Sequence, residues 1–304
     1  MNLGKVSDVI YKRAIAKQLK ISETDMVFEE KTVFGSDKQI GIFAIASVMN
    51  RLKVRQVETL GVYVKILLPK FAYESRLKSM ILHMTHVCEL HHVDIHNINA
   101  EVSPVVTSSI VQVIGVGKQT KQVDPNTKKE LEIVLTKHVG LEGSNRLLYE
   151  RKEILKKRFP PSFLQGILQK KDFFCDKEIE VAIKEDVAYM HVLGEGGIYA
   201  ALWNMADELD IGLTIEGDKI SIYQETIEVC EYLNLNPYQL ASEGSILMLT
   251  NNGIDLQEKL QEYEIHAAVI GKTTIEKQRI IRRREDVRFL DKPAPDELLK
   301  IFGD

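Results

Sequence analysis

Gly194-Glu195-Gly196-Gly197 opens an apolar stretch at helical spacing, and such a glycine turn can offer backbone N–H groups and the positive end of a helix to an anion. The same residues also suit a tight turn that packs helix against sheet. Glu195 adds a negative charge, which favours that plainer role. Ser242-Glu243-Gly244-Ser245 reads as a second backbone-shaped turn ahead of an apolar run. His83, His86, Cys88, His91 and His92 crowd one helical stretch. At about 100° per residue, His83, His86 and His91 spread over a third of the circumference while Cys88 and His92 point away, so no metal site is expected there. His138 and His191 have no acid or nucleophile assignable beside them, and ordinary hydrogen-bonded roles are expected. The three cysteines, Cys88, Cys175 and Cys230, are odd in number and widely spaced, which points to reduced, packed thiols. Arg282-Arg283-Arg284, balanced by Glu285 and Asp286, reads as a solvated turn between strands rather than a phosphate patch.

These residues need elements to hold them. The spacing predicts an amphipathic opening helix over residues 5–19 and helices over Gln39–Leu52 and Tyr73–His92, with a one-face-buried strand over Leu60–Leu68 that stops at Pro69. Ile95–Val102 and Val105–Val116 read as two more strands. The polar segment Lys118–Lys129, with its Asp-Pro-Asn punctuation, is the expected connection between domains. Beyond it, a strand Leu131–Leu135, a helix Leu141–Lys157 and a stop at Pro160-Pro161 are expected. Helices near Lys177–Asp186, Ile198–Leu209, Gln224–Leu233 and Leu256–Tyr263 then interleave with strands near Ile211–Ile215, Ile246–Leu249, Ala267–Ile270 and Ile280–Arg282. The expectation is two α+β domains, residues 1–120 and 130–304.

A chain of 304 residues, 44% hydrophobic and 28% charged, has material for two such cores without staples. No apolar run reaches the length of a membrane span and no secretory signal opens the chain, so a cytoplasmic protein with no membrane contact is expected. A net charge of −4 argues against a nucleic-acid partner, whose phosphates require a basic face.

Three strings stand in order along the second half: T-K-H-V-G-L-E-G-S at Thr136–Ser144, M-H-V-L-G-E-G-G at Met190–Gly197 and N-P-Y-Q-L-A-S-E-G-S at Asn236–Ser245. With them the chain resembles, from about Lys118 onward, the aminoimidazole ribonucleotide (AIR) synthetase and hydrogenase-maturation-factor superfamily, and most of all its hydrogenase-maturation branch. The first half matches more loosely, through the opening helix, Gly61–Pro69 and Val113–Lys118. The resemblance implies a homodimer whose N-terminal sheets pair into a barrel, and a cleft between the domains for ATP and magnesium.

Magnesium needs oxygen ligands, and phosphate needs close backbone approach. Where the family carries an acidic glycine loop, this chain has only Met26–Lys38, with the acids Glu29, Glu30 and Asp37. The family's Asn-Asp pair is Asn50-Arg51 here, a ligand turned into a cation. Its Gly-Gly-(His or Asp)-Thr is Asn97-Ile98-Asn99-Ala100, with Glu101 alone persisting, and its Asp-Val-Thr-Glu-Gly-Gly is Val192–Gly197. No reactive cysteine ends the chain as it does in true maturation enzymes. The resemblance therefore implies a non-catalytic dimeric binding or scaffold protein with a degenerate ATP site. Glu101, Gly194, Glu195, Gly196, Gly197, Glu243 and Gly244 are the residues left to hold ATP, ADP or a small anion. Two other expectations stand beside this one: an ATP-dependent synthetase or kinase rebuilt on Glu29, Glu30, Asp37, Glu101 and Glu195, and a regulatory heterodimer with an intact paralogue.

Overall fold

The computed structural model describes residues 6, 8–16, 25–119 and 130–302. The connection expected over Lys118–Lys129 falls largely outside them. The described part of the opening segment is helical, as α1 (Asp8–Tyr11) and a π turn (Lys12–Ala16), with Ile10, Tyr11 and Ile15 exposed.

The first unit has strands β1 (Met26–Gly35), β2 (Val57–Pro69), β3 (Ile95–Ser103) and β4 (Ser109–Gln119), and helices α2 (Ile40–Val54) and α3 (Glu74–Leu90). Its sheet runs β1-β4-β2-β3. Only β2 and β3 are parallel, because α3 carries the chain back across the sheet between them. Period 2 along β2 and β4 places Val62, Val64, Ile66, Val111 and Val113 on the inner face, against the nearly all-apolar α2.

β1 corrects the reading of Met26–Lys38 as a contracted loop. Its charged residues hid a strand that pairs along its length with β4, from Met26↔Lys118 to Gly35↔Ser109. The neighbouring strand also starts later than Val105, at Ser109.

The second unit comprises β5 (Glu132–Thr136), α4 (Leu141–Glu150), α5 (Lys152–Arg158), α6 (Pro161–Gln169), α7 (Asp176–Lys184), β6 (Tyr189–Val192), α8 (Gly197–Glu208), β7 (Gly212–Glu216), α9 (Gln224–Tyr232), β8 (Ile246–Thr250), α10 (Gly253–Gln261), β9 (Ala267–Thr274), β10 (Arg279–Arg283) and β11 (Asp286–Phe289), and it closes in a 3₁₀ turn, Glu297–Phe302. The sheet order is β11-β10-β7-β9-β5-β8-β6, and only β10–β7 is parallel. The helix expected over Leu141–Lys157 breaks at Arg151 into two. α5 ends at Arg158, just ahead of the expected stop at Pro160-Pro161, and Pro161 then starts α6 from its first turn, where its missing N–H costs nothing. The two-domain α+β fold is as expected.

The units share packing. Phe173 and Phe174 of the second join the first unit's core, where Phe43 meets Phe173 edge-on at 4.8 Å. No helix among the described residues is long and apolar enough to cross a membrane.

Candidate functional site

The Glu-Gly-Gly turn leaves β6 and enters α8. Gly196 and Gly197 both have left-handed φ, +77° and +62°. A Cβ on Gly197 would stand 2.5 Å from the Tyr238 carbonyl oxygen, so only glycine fits. The second turn locks against the first: Ser242 N–H donates to Gly194 O at 3.1 Å, and Leu193 N–H to Ser245 O at 2.9 Å. Gly194, Glu195, Gly196, Gly197, Glu243 and Gly244 therefore form one patch.

Two cations of the first unit meet it. Lys31, on the inner face of β1 and 6% exposed, places Nζ 2.5 Å from Glu195 Oε1. From α2, Arg51 brings Nη2 to 3.0 Å from where a Gly194 Cβ would lie, and Glu243 Oε2 borders the same point at 3.9 Å. Glycine at 194 thus leaves room for the Arg51 guanidinium.

Asn50 ties the units together. Its Nδ2 donates to Glu243 Oε1 and to Phe173 O, both at 2.8 Å, and its Oδ1 accepts Cys175 N–H at 3.0 Å. Glu243 is buried, and burial pushes its carboxyl above the ordinary range although Arg51 pulls the other way. Its Oε2 has no hydrogen-bond partner.

The anion-binding potential of the glycine turn is met from within the chain. Gly196 N–H donates to Asp296 Oδ2 at 2.6 Å, and Asp296 Oδ1 accepts Leu298 N–H at 2.8 Å. Burial raises this carboxyl to about 6. Nearby, Arg146 pairs with Glu142 at 3.0 Å and donates to Phe34 O of β1 at 3.0 Å.

The other expected acids do not converge on this patch. Glu29 pairs with Arg55 at 2.6 Å, Glu30 accepts from Gln112 at 3.3 Å, and Glu101 pairs with Lys65 on its own sheet. Asp37 is buried beside the Gln39 N–H at the start of α2. Among the described residues no cluster of three or more histidine, cysteine or acidic side chains could hold a metal. In the histidine stretch, His91 Nδ1 instead lies in hydrogen-bond contact with Asp176 Oδ2 at 2.5 Å, and its ring stacks on Phe174 at 3.6 Å. His138 stacks between Tyr223 and His266, and burial lowers it to about 4. Burial likewise lowers His191 to about 4. The three thiols are free and buried.

Magnesium with a triphosphate does not fit this donor set, because Lys31 and Arg51 stand against its carboxylates and the buried Gly196 N–H is taken by Asp296. Sequence reasoning passed over Lys31 and Asp296, and met Asn50 only as the neighbour of a lost family carboxylate. For Lys31 a signal exists once β1 is seen as a strand, since alternation puts the lysine inward beside Val33 and an inward lysine requires a carboxylate.

Comparison with known proteins agrees with this architecture. A protein of Methanocaldococcus jannaschii named for hydrogenase expression and formation is 25% identical over 285 residues, covering 89% of this chain and 81% of the relative. Escherichia coli HypE, a hydrogenase maturation protein, superposes with a TM-score of 0.75 at 18% identity, covering 91% of this chain and 88% of that one. HypE in complex with ATP gives a TM-score of 0.71 at 15% identity, covering 96% and 92%. Residues 128–283, just over half of the chain, match the family described as AIR synthase related protein, C-terminal domain, and the chain belongs to that family.

Proposed function

We propose that this protein is a dimeric, cytosolic binding or scaffold member of the hydrogenase-maturation branch whose ATP site no longer turns over nucleotide. The observation that carries this reading is the pair of cations, Lys31 and Arg51, set against Glu195 and Glu243 between the two units. Phosphoryl transfer depends heavily on charge neutralisation by metal, and a lysine paired with Glu195 beside an arginine next to Glu243 cannot recruit that metal. The rebuilt-enzyme alternative finds no support in Glu29, Glu30, Asp37 and Glu101, which are held by separate partners. Phosphate release from ATP with magnesium is expected at background, and Arg51→Asp alone is expected not to restore it. Turnover well above background that disappears in a Glu101→Ala, Glu195→Ala double variant would overturn the reading.

The homodimer is supported by the outer face of the first sheet. Phe28 pairs across to Val116 and Tyr63 to Ile114, which puts all four on one face, with Phe28 60% and Tyr63 46% exposed. An apolar face of this kind belongs against a partner, and two-fold pairing is the commonest solution. Light scattering is expected to give twice the chain mass of 34.6 kDa, and Phe28→Glu to reduce it to the monomer. A wild-type mass of one chain at micromolar concentration would rule the dimer out.

A further inference from the structure

Beside the glycine turn, between the first turn of α8 and the segment after β11, lies a cavity of about 170 Å³ bordered by Gly196, Tyr199, Asn236, Gln239, Arg288 and Lys292. Behind it stands a four-layer stack. Arg283 lies 4.1 Å over the Tyr238 ring, Tyr238 and Tyr199 are parallel at 5.3 Å, and Arg288 lies 5.3 Å over Tyr199. Both guanidiniums also donate to the Tyr199 hydroxyl, Arg283 at 3.4 Å.

Arg282 and Arg284 are exposed at the hairpin between β10 and β11, as expected, and the stack corrects that expectation for Arg283 alone. Arg283 is fixed by Tyr238 and by Gly217, whose Cβ would come within 2.6 Å of Arg283 Nε. That Nε is buried without a hydrogen-bond partner.

Two like charges converge here on one neutral oxygen. Neither Arg283 nor Arg288 has a carboxylate within ion-pairing distance among the described residues, although many other arginines and lysines of the chain do. Stacking holds a guanidinium in place and leaves its N–H fork free for an oxyanion. Lys292 adds a third positive charge at the rim, against one acid, Asp291. The Gly196 N–H is taken by Asp296, so the side chains rather than the helix end would do the recognition. A cavity of about 170 Å³ has room for a phosphate group.

We infer that this cavity is a binding site for a small phosphate-class oxyanion, held by Arg288 and Lys292 with Arg283 and the Tyr199 hydroxyl behind them. It adjoins the glycine turn at Gly196 but is lined by none of Lys31, Arg51, Glu195 and Glu243, and it needs no metal. Calorimetry on the intact protein with inorganic phosphate and with pyrophosphate, in EDTA and at constant ionic strength, tests it. Saturable binding of either is expected. Arg288→Ala is expected to weaken it about tenfold or more. Arg288→Lys should also weaken it, because an ammonium keeps the charge but loses the fork. Tyr199→Phe, which keeps the ring and removes the hydroxyl, should weaken it less. Arg51→Ala should leave it unchanged. Arg288 lies on an exposed edge strand, so its variants are expected to stay folded. No saturable binding of either probe, or binding that survives Arg288→Ala, or binding lost in Arg51→Ala instead, would overturn the assignment.

Discussion

Lys137→Met is expected to cost the fold about 3–5 kcal/mol, measured by urea unfolding, because it strands a buried carboxylate. Lys137 follows β5, and its Nζ lies 2.7 Å from Glu178 Oε1 and 2.9 Å from Asp172 Oδ2, with Glu178 only 2% exposed. The ammonium also donates to Phe174 O at 2.7 Å. Burial alone would pull the lysine down, but Cys175, Glu178 and Asp172 outweigh it and hold it above its ordinary range. Burial raises Glu178 despite that partner, which shows that its charge is tolerated rather than welcomed.

Methionine nearly conserves the volume of lysine, and the left-handed backbone at 137, φ +55°, bears either side chain equally. The loss is therefore electrostatic. Adding Glu178→Leu to Lys137→Met removes the stranded charge, and the double variant is expected to recover at least about 2 kcal/mol of the single variant's loss. A single variant costing under about 1 kcal/mol, or a double variant no better than the single, would show that the pair is solvated and that its burial has been misjudged.

The parts of this molecule legible in the sequence are those where one face is buried and the period is clean. Leu60–Leu68 alternates, so β2 could be read to within a few residues, and α2 and α3 followed from apolar spacing at helical period. β1 was hidden because Glu29, Glu30 and Lys31 interrupt its alternation, and what makes those charges tolerable in a strand is distant: Arg55, Gln112 and Glu195. No local pattern contains such partners. The same holds at the site. Gly194–Gly197 and Glu243-Gly244 could be picked out by their glycines, which local backbone geometry requires. That Lys31 and Arg51 would meet them, and that Asp296 would return from the far end of the chain to take the Gly196 N–H, depends on tertiary placement alone. Glu101 shows the converse. Matched to a family position by sequence, it is partnered in the structure by Lys65 across its own sheet.

A gain in stability that appears only above acidic pH is expected from Asp37→Asn. Asp37 is 3% exposed, and its Oδ1 accepts Gln39 N–H at 2.9 Å while its Oδ2 has no partner. Burial, aided by the nearby Glu150, raises its carboxyl from 3.8 to about 6. Proton counting gives the sign. Between about pH 4 and pH 6 the folded chain holds a proton here that the unfolded chain has released, so wild-type stability falls as pH rises through that window and then stays at the lower level. A shift of this size, which already includes the favourable Lys171 interaction, corresponds to at most about 3 kcal/mol at 1.36 kcal/mol per pH unit, and about 1–2 kcal/mol is expected because the buried amide NH₂ that replaces Oδ2 carries its own desolvation cost. Asparagine keeps the oxygen that accepts Gln39 N–H and removes the repulsion with Glu150, whose two oxygens remain engaged by Ser36 N–H and Oγ at 2.6 and 2.7 Å. Urea unfolding of both proteins at pH 4, 5.5 and 7.5 should show equal stability at the first, a partial gain for the variant at the second and the full gain at the third. A variant that is less stable at pH 7.5, or whose gain does not change with pH, would mean that the Asp37 carboxylate is ionised and welcome at the start of α2.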